Sequence, residues 1–201
     1  MSHIMNFYDY VHDFPLLYAV IFAVLIPFGI MIAGYLIGLL GEAIALLASL
    51  FVDPWLVLNI INSLFFPGVM IHEMSHAFFA IITGAYVKEI ALFKRDPETN
   101  SLGHVIFYAR GNYVIRALQN VFISSAPMYI GAVVTYGAFT AAFGLPYLPT
   151  GLRVFAGYIG CAMFYHMTMS PADVKVYMKG VHIFMALVFV VTLVLRLVHV
   201  L

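Results

Sequence analysis

The sequence predicts an all-α integral membrane protein of about five to six transmembrane helices, with a β-hairpin inserted between two of them. Three observations carry that expectation. The 201-residue chain is 64% hydrophobic and 9% charged, where soluble domains carry roughly 25% charged residues. Its mean hydropathy is +1.03, and its apolar residues fall in runs long enough to cross a hydrocarbon core of about 30 Å. One segment, residues 84–110, departs from the rest and gathers β-prone and charged residues. Too little polar sequence remains for a separate soluble domain, so residues 1–201 are expected to form one membrane domain. Nine Lys+Arg balance nine Asp+Glu, which argues against nucleic acid as a partner and leaves the lipid bilayer as the surrounding surface. Oligomeric state is left open. The single cysteine, Cys161, can make no intramolecular disulfide and reads as a small buried hydrophobe.

Residues 1–15 mix aromatic and acidic side chains and end at Pro15, an interfacial lead-in to a helix that starts there. No basic region precedes the first apolar run and no small-residue cleavage site stands out, so no cleaved signal peptide is expected. Residues 16–52 would be about 55 Å long as one helix, so they must tilt, kink or divide. Pro27, Gly34, Gly38 and Gly41 are the places to look. Gly34-x-x-x-Gly38, continued by Ala45 and Ala48, offers a small-residue stripe for close helix approach.

Asp53-Pro54 reads as a turn, Trp55 as an interface marker, and residues 55–83 as one helix kinked at Pro67-Gly68. Residues 86–93 and 104–108 then bracket Lys94-Arg95-Asp96-Pro97-Glu98-Thr99-Asn100 as two strands around a charged tip. Bare strand edges cannot face lipid, so this hairpin must pack on protein or lie at the interface. Residues 117–143, 152–169 and 181–201 are further spans. A loop with Gly144, Pro146 and Pro149 separates the first two, and Ser170-Pro171-Ala172-Asp173 breaks the chain before the last. Lys88, Lys94, Arg95, Arg110 and Arg116 lie in the hairpin region, and Lys175 and Lys179 in a loop after Asp173. The positive-inside rule therefore puts both regions on the cytoplasmic side.

The chemistry concentrates at Ile71-His72-Glu73-Met74-Ser75-His76, inside an otherwise apolar helix. Ionisable groups at membrane depth are costly and need a reason. On a helix, His72 and His76 stand one turn apart on the same face with Glu73 beside them. This is the H-E-x-x-H arrangement, in which two imidazoles grip Zn²⁺ and the glutamate acts as a general base. A merely structural polar cluster would bury three polar groups without partners. A catalytic zinc takes three protein ligands, so another helix should bring a third. Asp173 and His166 both qualify. Asp173 is preferred, because a carboxylate after a helix break needs a cation more than a neutral imidazole does; His166 could instead steady an oxyanion or be an ordinary core histidine. His104, His182 and His199 read as interfacial, and Glu42 and Glu89 have no nameable partner.

Taken together, these residues resemble the site-2 protease family of intramembrane zinc metalloproteases. The resemblance covers about residues 55–180. It rests on His72-Glu73-x-x-His76 in a membrane helix, the strand after Gly84, the hairpin, Ala126-Pro127 opening the next core helix, and a proline-then-aspartate in the one after. Where the family often has Asn-x-x-Pro and Leu-Asp-Gly around its third ligand, this chain has Ser170-Pro171-Ala172-Asp173-Val174. The resemblance implies a three-helix catalytic core, His72, His76 and Asp173 as zinc ligands, and Glu73 as catalytic base. The implied activity is zinc-dependent endoproteolysis of transmembrane substrate segments in the cell membrane. The alternative from another class is a non-proteolytic metal-binding membrane protein, a transporter or an assembly factor that kept the fold.

Overall fold

The computed structural model describes residues 14–92 and 103–198. The interfacial lead-in before residue 14, the charged hairpin tip and His199 lie outside the described residues.

Helix α1 (Pro15–Ser49) is a single helix of 35 residues, about 52 Å long. Pro15 opens it in the first turn, where an N–H would be unpaired anyway. Pro27 sits inside without dividing it. Its buried residues are Ala19, Ala23, Pro27, Gly34 and Gly41, a row spaced by four and seven. The stripe expected through Gly34, Gly38, Ala45 and Ala48 is therefore displaced. A Cβ on Gly34 would meet Met128 Sδ at 3.0 Å, and one on Gly41 the Tyr165 ring at 3.3 Å, whereas Gly38 has Thr168 Cβ at 4.0 Å as its nearest neighbour.

Residues 55–83 do not form one helix. Helices α2 (Pro54–Leu64) and α3 (Phe66–Ile82) meet at 68°. Asp53 caps α2, its carboxylate accepting from Trp55 N at 3.0 Å and Leu56 N at 3.2 Å. The break falls at Phe65 because Pro67 suits the first turn of a new helix and not the interior of an old one. Tyr158 Oη donates to Leu64 O at 2.6 Å and satisfies a carbonyl that the break frees.

Gly84, at φ +79°, turns the chain out of α3. Strands β1 (Tyr86–Ala91) and β2 (His104–Tyr108) pair antiparallel, with Tyr86 opposite Tyr108, Ala91 opposite His104, and Lys88 as the extra residue of a bulge. The Tyr86 and Tyr108 rings stack, and Arg110 lies 4.4 Å over Tyr86. Gln119 holds both feet of the hairpin: its Oε1 accepts from Arg110 N at 2.8 Å and its Nε2 donates to Thr83 O at 2.7 Å. The sheet packs on α3.

Helices α4 (Tyr113–Ser124) and α5 (Ala126–Phe139) run on through a π-helical turn at Thr140–Gly144 as one apolar segment of 32 residues. Helix α6 (Thr150–His166) follows, and α7 (Pro171–Met178) and α8 (Val181–Leu197) are bent by 62°. The segment after Asp173, expected as a loop, is thus a short helix that carries Lys175. Helix α3 is central, packed on α4, α5 and α6, while α1 lies along α8. Val121, Met169, Tyr177, Val181 and Phe184 form a buried cluster joining α4, α7 and α8.

The protein is mostly helical. Among the described residues two segments, α1 and the α4–α5 run, are long and apolar enough to cross a membrane, and up to four are if each bent pair is one span. The five to six expected are not reached on length and apolarity alone, because α6 has 17 residues and two of the expected spans are bent. The outer surface is apolar, with Phe51 88% and Tyr136 77% exposed, which is compatible with a membrane protein. Cys161 belongs to this surface and is exposed rather than buried.

The contact between α3 and α6 depends on Gly68. A Cβ there would lie 2.1 Å from Ala162 O and 2.7 Å from His166 Nδ1. Gly68→Ala is expected to destabilise the fold by about 1–3 kcal/mol. Gly29→Ala, with nothing within 4 Å, should leave the midpoint unchanged or slightly raised. Thermal unfolding of the two variants in detergent checks the pair.

Candidate metal centre

Two helices supply the three side chains of a single cluster. His72 and His76 come from successive turns of α3, and Asp173 from the first turn of α7. One ligand atom from each of the three lies within 4.8 Å of the others. His76 Nε2 is 3.2 Å from His72 Nε2 and 3.3 Å from Asp173 Oδ1, and His72 Nε2 is 3.9 Å from Asp173 Oδ2. All three side chains are at most 15% exposed.

The backbone fixes which ring atoms face inward. His76 Nδ1 lies 2.7 Å from Ile123 O, and His72 Nδ1 lies 2.7 Å from His166 O. A carbonyl oxygen only accepts, so each Nδ1 is the N–H donor and each Nε2 of a neutral ring turns a lone pair into the cluster. With both rings neutral, two imidazole lone pairs and a carboxylate converge on one point. A single added proton would bridge only two of these acceptors, whereas a cation is shared by all three. Two of the three separations, 3.2 and 3.3 Å, match the edge of about 3.3 Å between ligands held tetrahedrally at about 2.0–2.1 Å, and the third, 3.9 Å, is longer. Imidazole ligands whose other nitrogen donates to a backbone carbonyl are the usual arrangement around a bound metal.

Each of those carbonyls is available because a helix is interrupted. Ile123 is four residues before Pro127, which has no N–H to return to it. His166 is the last residue of α6, and the N–H four residues on, from Ser170, donates instead to Asp173 Oδ2 at 2.9 Å. Ser170 also supplies Oγ to the same carboxylate oxygen at 2.6 Å and accepts from Asp173 N at 3.1 Å. This capping box holds Oδ2 and leaves Oδ1 toward His76. One turn further on, the fully buried Tyr177 donates Oη to Pro27 O at 2.9 Å and ties α7 to α1.

Glu73 stays out of the cluster. It is 8% exposed and lies beneath the root of the hairpin, where a Cβ on Gly103 would meet its Cγ at 2.9 Å. His166, the other candidate third ligand, also stays out: its ring Nδ1 pairs with Ala162 O at 3.0 Å, and what it offers the site is its backbone carbonyl. Among the described residues, the remaining histidines, His104 and His182, have partners. His104 Nε2 is 3.6 Å from Glu89 Oε1, so Glu89 does have a neighbour, and His182 is hydrogen-bonded to Tyr113. Ser170 went unnoticed as a positioning residue, although Ser followed three residues later by Asp is a capping signature in plain sequence.

Comparison of the chain with protein-family models, curated proteins and solved structures finds no match. The site therefore rests on its own geometry.

Asp173→Ala should cost the greater part of metal affinity, and Ser170→Ala about 10–100-fold, as loss of a group that orients a ligand does. His166→Ala should leave affinity near that of the wild type. Titration of the purified chain with Zn²⁺ against a competing chelator ranks the three; a larger loss in His166→Ala than in Asp173→Ala would move the third ligand.

Proposed function

We propose that the chain is a zinc-dependent endopeptidase of the cell membrane that cleaves transmembrane segments of other proteins. The observation that carries this reading is the convergence of two imidazole lone pairs and a carboxylate on α3 and α7, next to a buried glutamate in the same turn of helix. The resemblance to the site-2 protease family, on His72-Glu73-x-x-His76, Ala126-Pro127 and Pro171-x-Asp173, supports the same activity. His72, His76 and Asp173 would hold the ion, whose two nitrogens and one oxygen suit zinc.

Zinc, when bound, supplies Lewis acidity to the attacking water and to the scissile carbonyl. Glu73 takes the proton of that water and returns it to the leaving amine, so a C–O bond forms as the C–N bond breaks. The Nδ1–H bonds to backbone carbonyls keep the His72 and His76 rings aimed, and the capping box keeps the Asp173 carboxylate in place. Helical substrate must unwind before a peptide bond is exposed, and an extended segment can add to a sheet edge. The hairpin root at Gly103 lies against Glu73, so a strand laid along the sheet would pass close to the base. Counting each bent pair once, and α6, whose 17 residues reach the lower limit of about 17 for a crossing, as a short span, gives five crossings. The basic residues around α4, α7 and the hairpin support a site nearer the cytoplasmic face.

Glu73→Gln is expected to retain the metal and lose cleavage of a co-expressed single-span substrate by about 10²–10⁴-fold. Chelation should abolish wild-type cleavage, and added Zn²⁺ should restore it. Equal cleavage by wild type and Glu73→Gln would contradict the mechanism. Metal flux into proteoliposomes that survives Glu73→Gln would point to transport instead.

A further inference from the structure

Away from the metal cluster, the start of α4 and the bend between α7 and α8 border an open surface pocket. It has a volume of about 360 Å³ and is lined by Ala109, Tyr113, Arg116, Ala117, Asn120 and Lys179. Gly180 makes this arrangement possible. A Cβ there would lie 1.9 Å from Ala117 O, so only glycine lets the bend close on α4 and bring Lys179 beside the pocket that Arg116 also lines. The Tyr113 wall is held by its hydrogen bond to His182 on α8.

Two cations thus border one pocket. Among the described residues no carboxylate forms an ion pair with either Arg116 or Lys179. An anion in the pocket can face both cations, and Asn120 adds an uncharged hydrogen-bonding group to the same lining. A guanidinium and an ammonium around a neutral donor suit the oxygens of a phosphate.

The surroundings select among sources of phosphate. Tyr113 begins the 32-residue apolar segment, and Lys179 stands at the bend before α8. Val114, Ile115 and Met178 are exposed beside the pocket, an apolar flank along which an acyl chain can lie. We propose that this pocket binds the phosphate of an anionic lipid headgroup, with the lipid's chains against α4 and α7. The site is independent of the proposed proteolysis and needs no metal.

Native mass spectrometry of the full chain in detergent, with phosphatidylglycerol or phosphatidylcholine added, tests it. Wild type should retain phosphatidylglycerol over phosphatidylcholine. Arg116→Ala and Lys179→Ala should each lower that retention by about fivefold, with Arg116→Lys close to wild type and Lys175→Ala, a cation outside the pocket, unchanged. All four variants should keep the wild-type thermal midpoint. Retention that is indifferent to Arg116 and Lys179, an equal loss in Lys175→Ala, or equal retention of phosphatidylcholine would overturn the proposal. So would binding of inorganic phosphate that depends on Arg116 without retention of phosphatidylglycerol, since the site would then take a free anion.

Discussion

Two hydrogen bonds from imidazole to backbone, His72 Nδ1 to His166 O and His76 Nδ1 to Ile123 O, are the interactions on which the rest of the centre depends. In an apolar surrounding every backbone carbonyl needs a donor, and helices normally supply it internally. Here Pro127 removes one donor and the end of α6 removes another. The two histidines fill both vacancies, and in doing so they turn their remaining lone pairs toward Asp173. The helix breaks are therefore part of the site's chemistry. Replacing either break by continuous helix would give the carbonyl its own N–H and release the ring.

Those bonds require the helices to stand very close, and glycine sets that closeness. Gly68 lets α3 meet Ala162 on α6, Gly131 lets α5 meet Met167, where a Cβ would be 2.4 Å from Met167 Cβ, and Gly180 lets the α7–α8 bend meet α4. Each of these contacts lies within a few residues of a group in the cluster or of a carbonyl that orients it. Packing that tight transmits a shift in any one helix to the ligands. Tyr177 adds a lateral constraint, since its bond to Pro27 O fixes the short α7 against the long α1.

Much of this was legible in the sequence, for identifiable reasons. His72 and His76 share a face because their spacing is one helical turn, and charged groups in an apolar run single themselves out. The hairpin was readable from β-prone runs around a polar turn. Other features depend on information that side-chain patterns do not carry. His166 was read for its ring, and its contribution is a carbonyl, which every residue has. The small-residue stripe of α1 follows Pro27, Gly34 and Gly41, a seven-residue row that the nearer Gly34–Gly38 pair obscured. Pro67 in an apolar run is compatible both with a kink inside one helix and with the first turn of a new one, and only the backbone shows the break at Phe65. Ser170 was seen as a departure from a family pattern, and its role emerges only when its hydroxyl and N–H are found on Asp173 Oδ2.

The central proposal is that His72, His76 and Asp173 converge to hold a metal ion. X-ray absorption at the zinc edge of the purified chain tests this directly. The account predicts a first shell containing two imidazole nitrogens at about 2.0–2.1 Å together with oxygen ligands. A shell of oxygen alone, or the same two-imidazole signal persisting in a chain that lacks both His72 and His76, would contradict it.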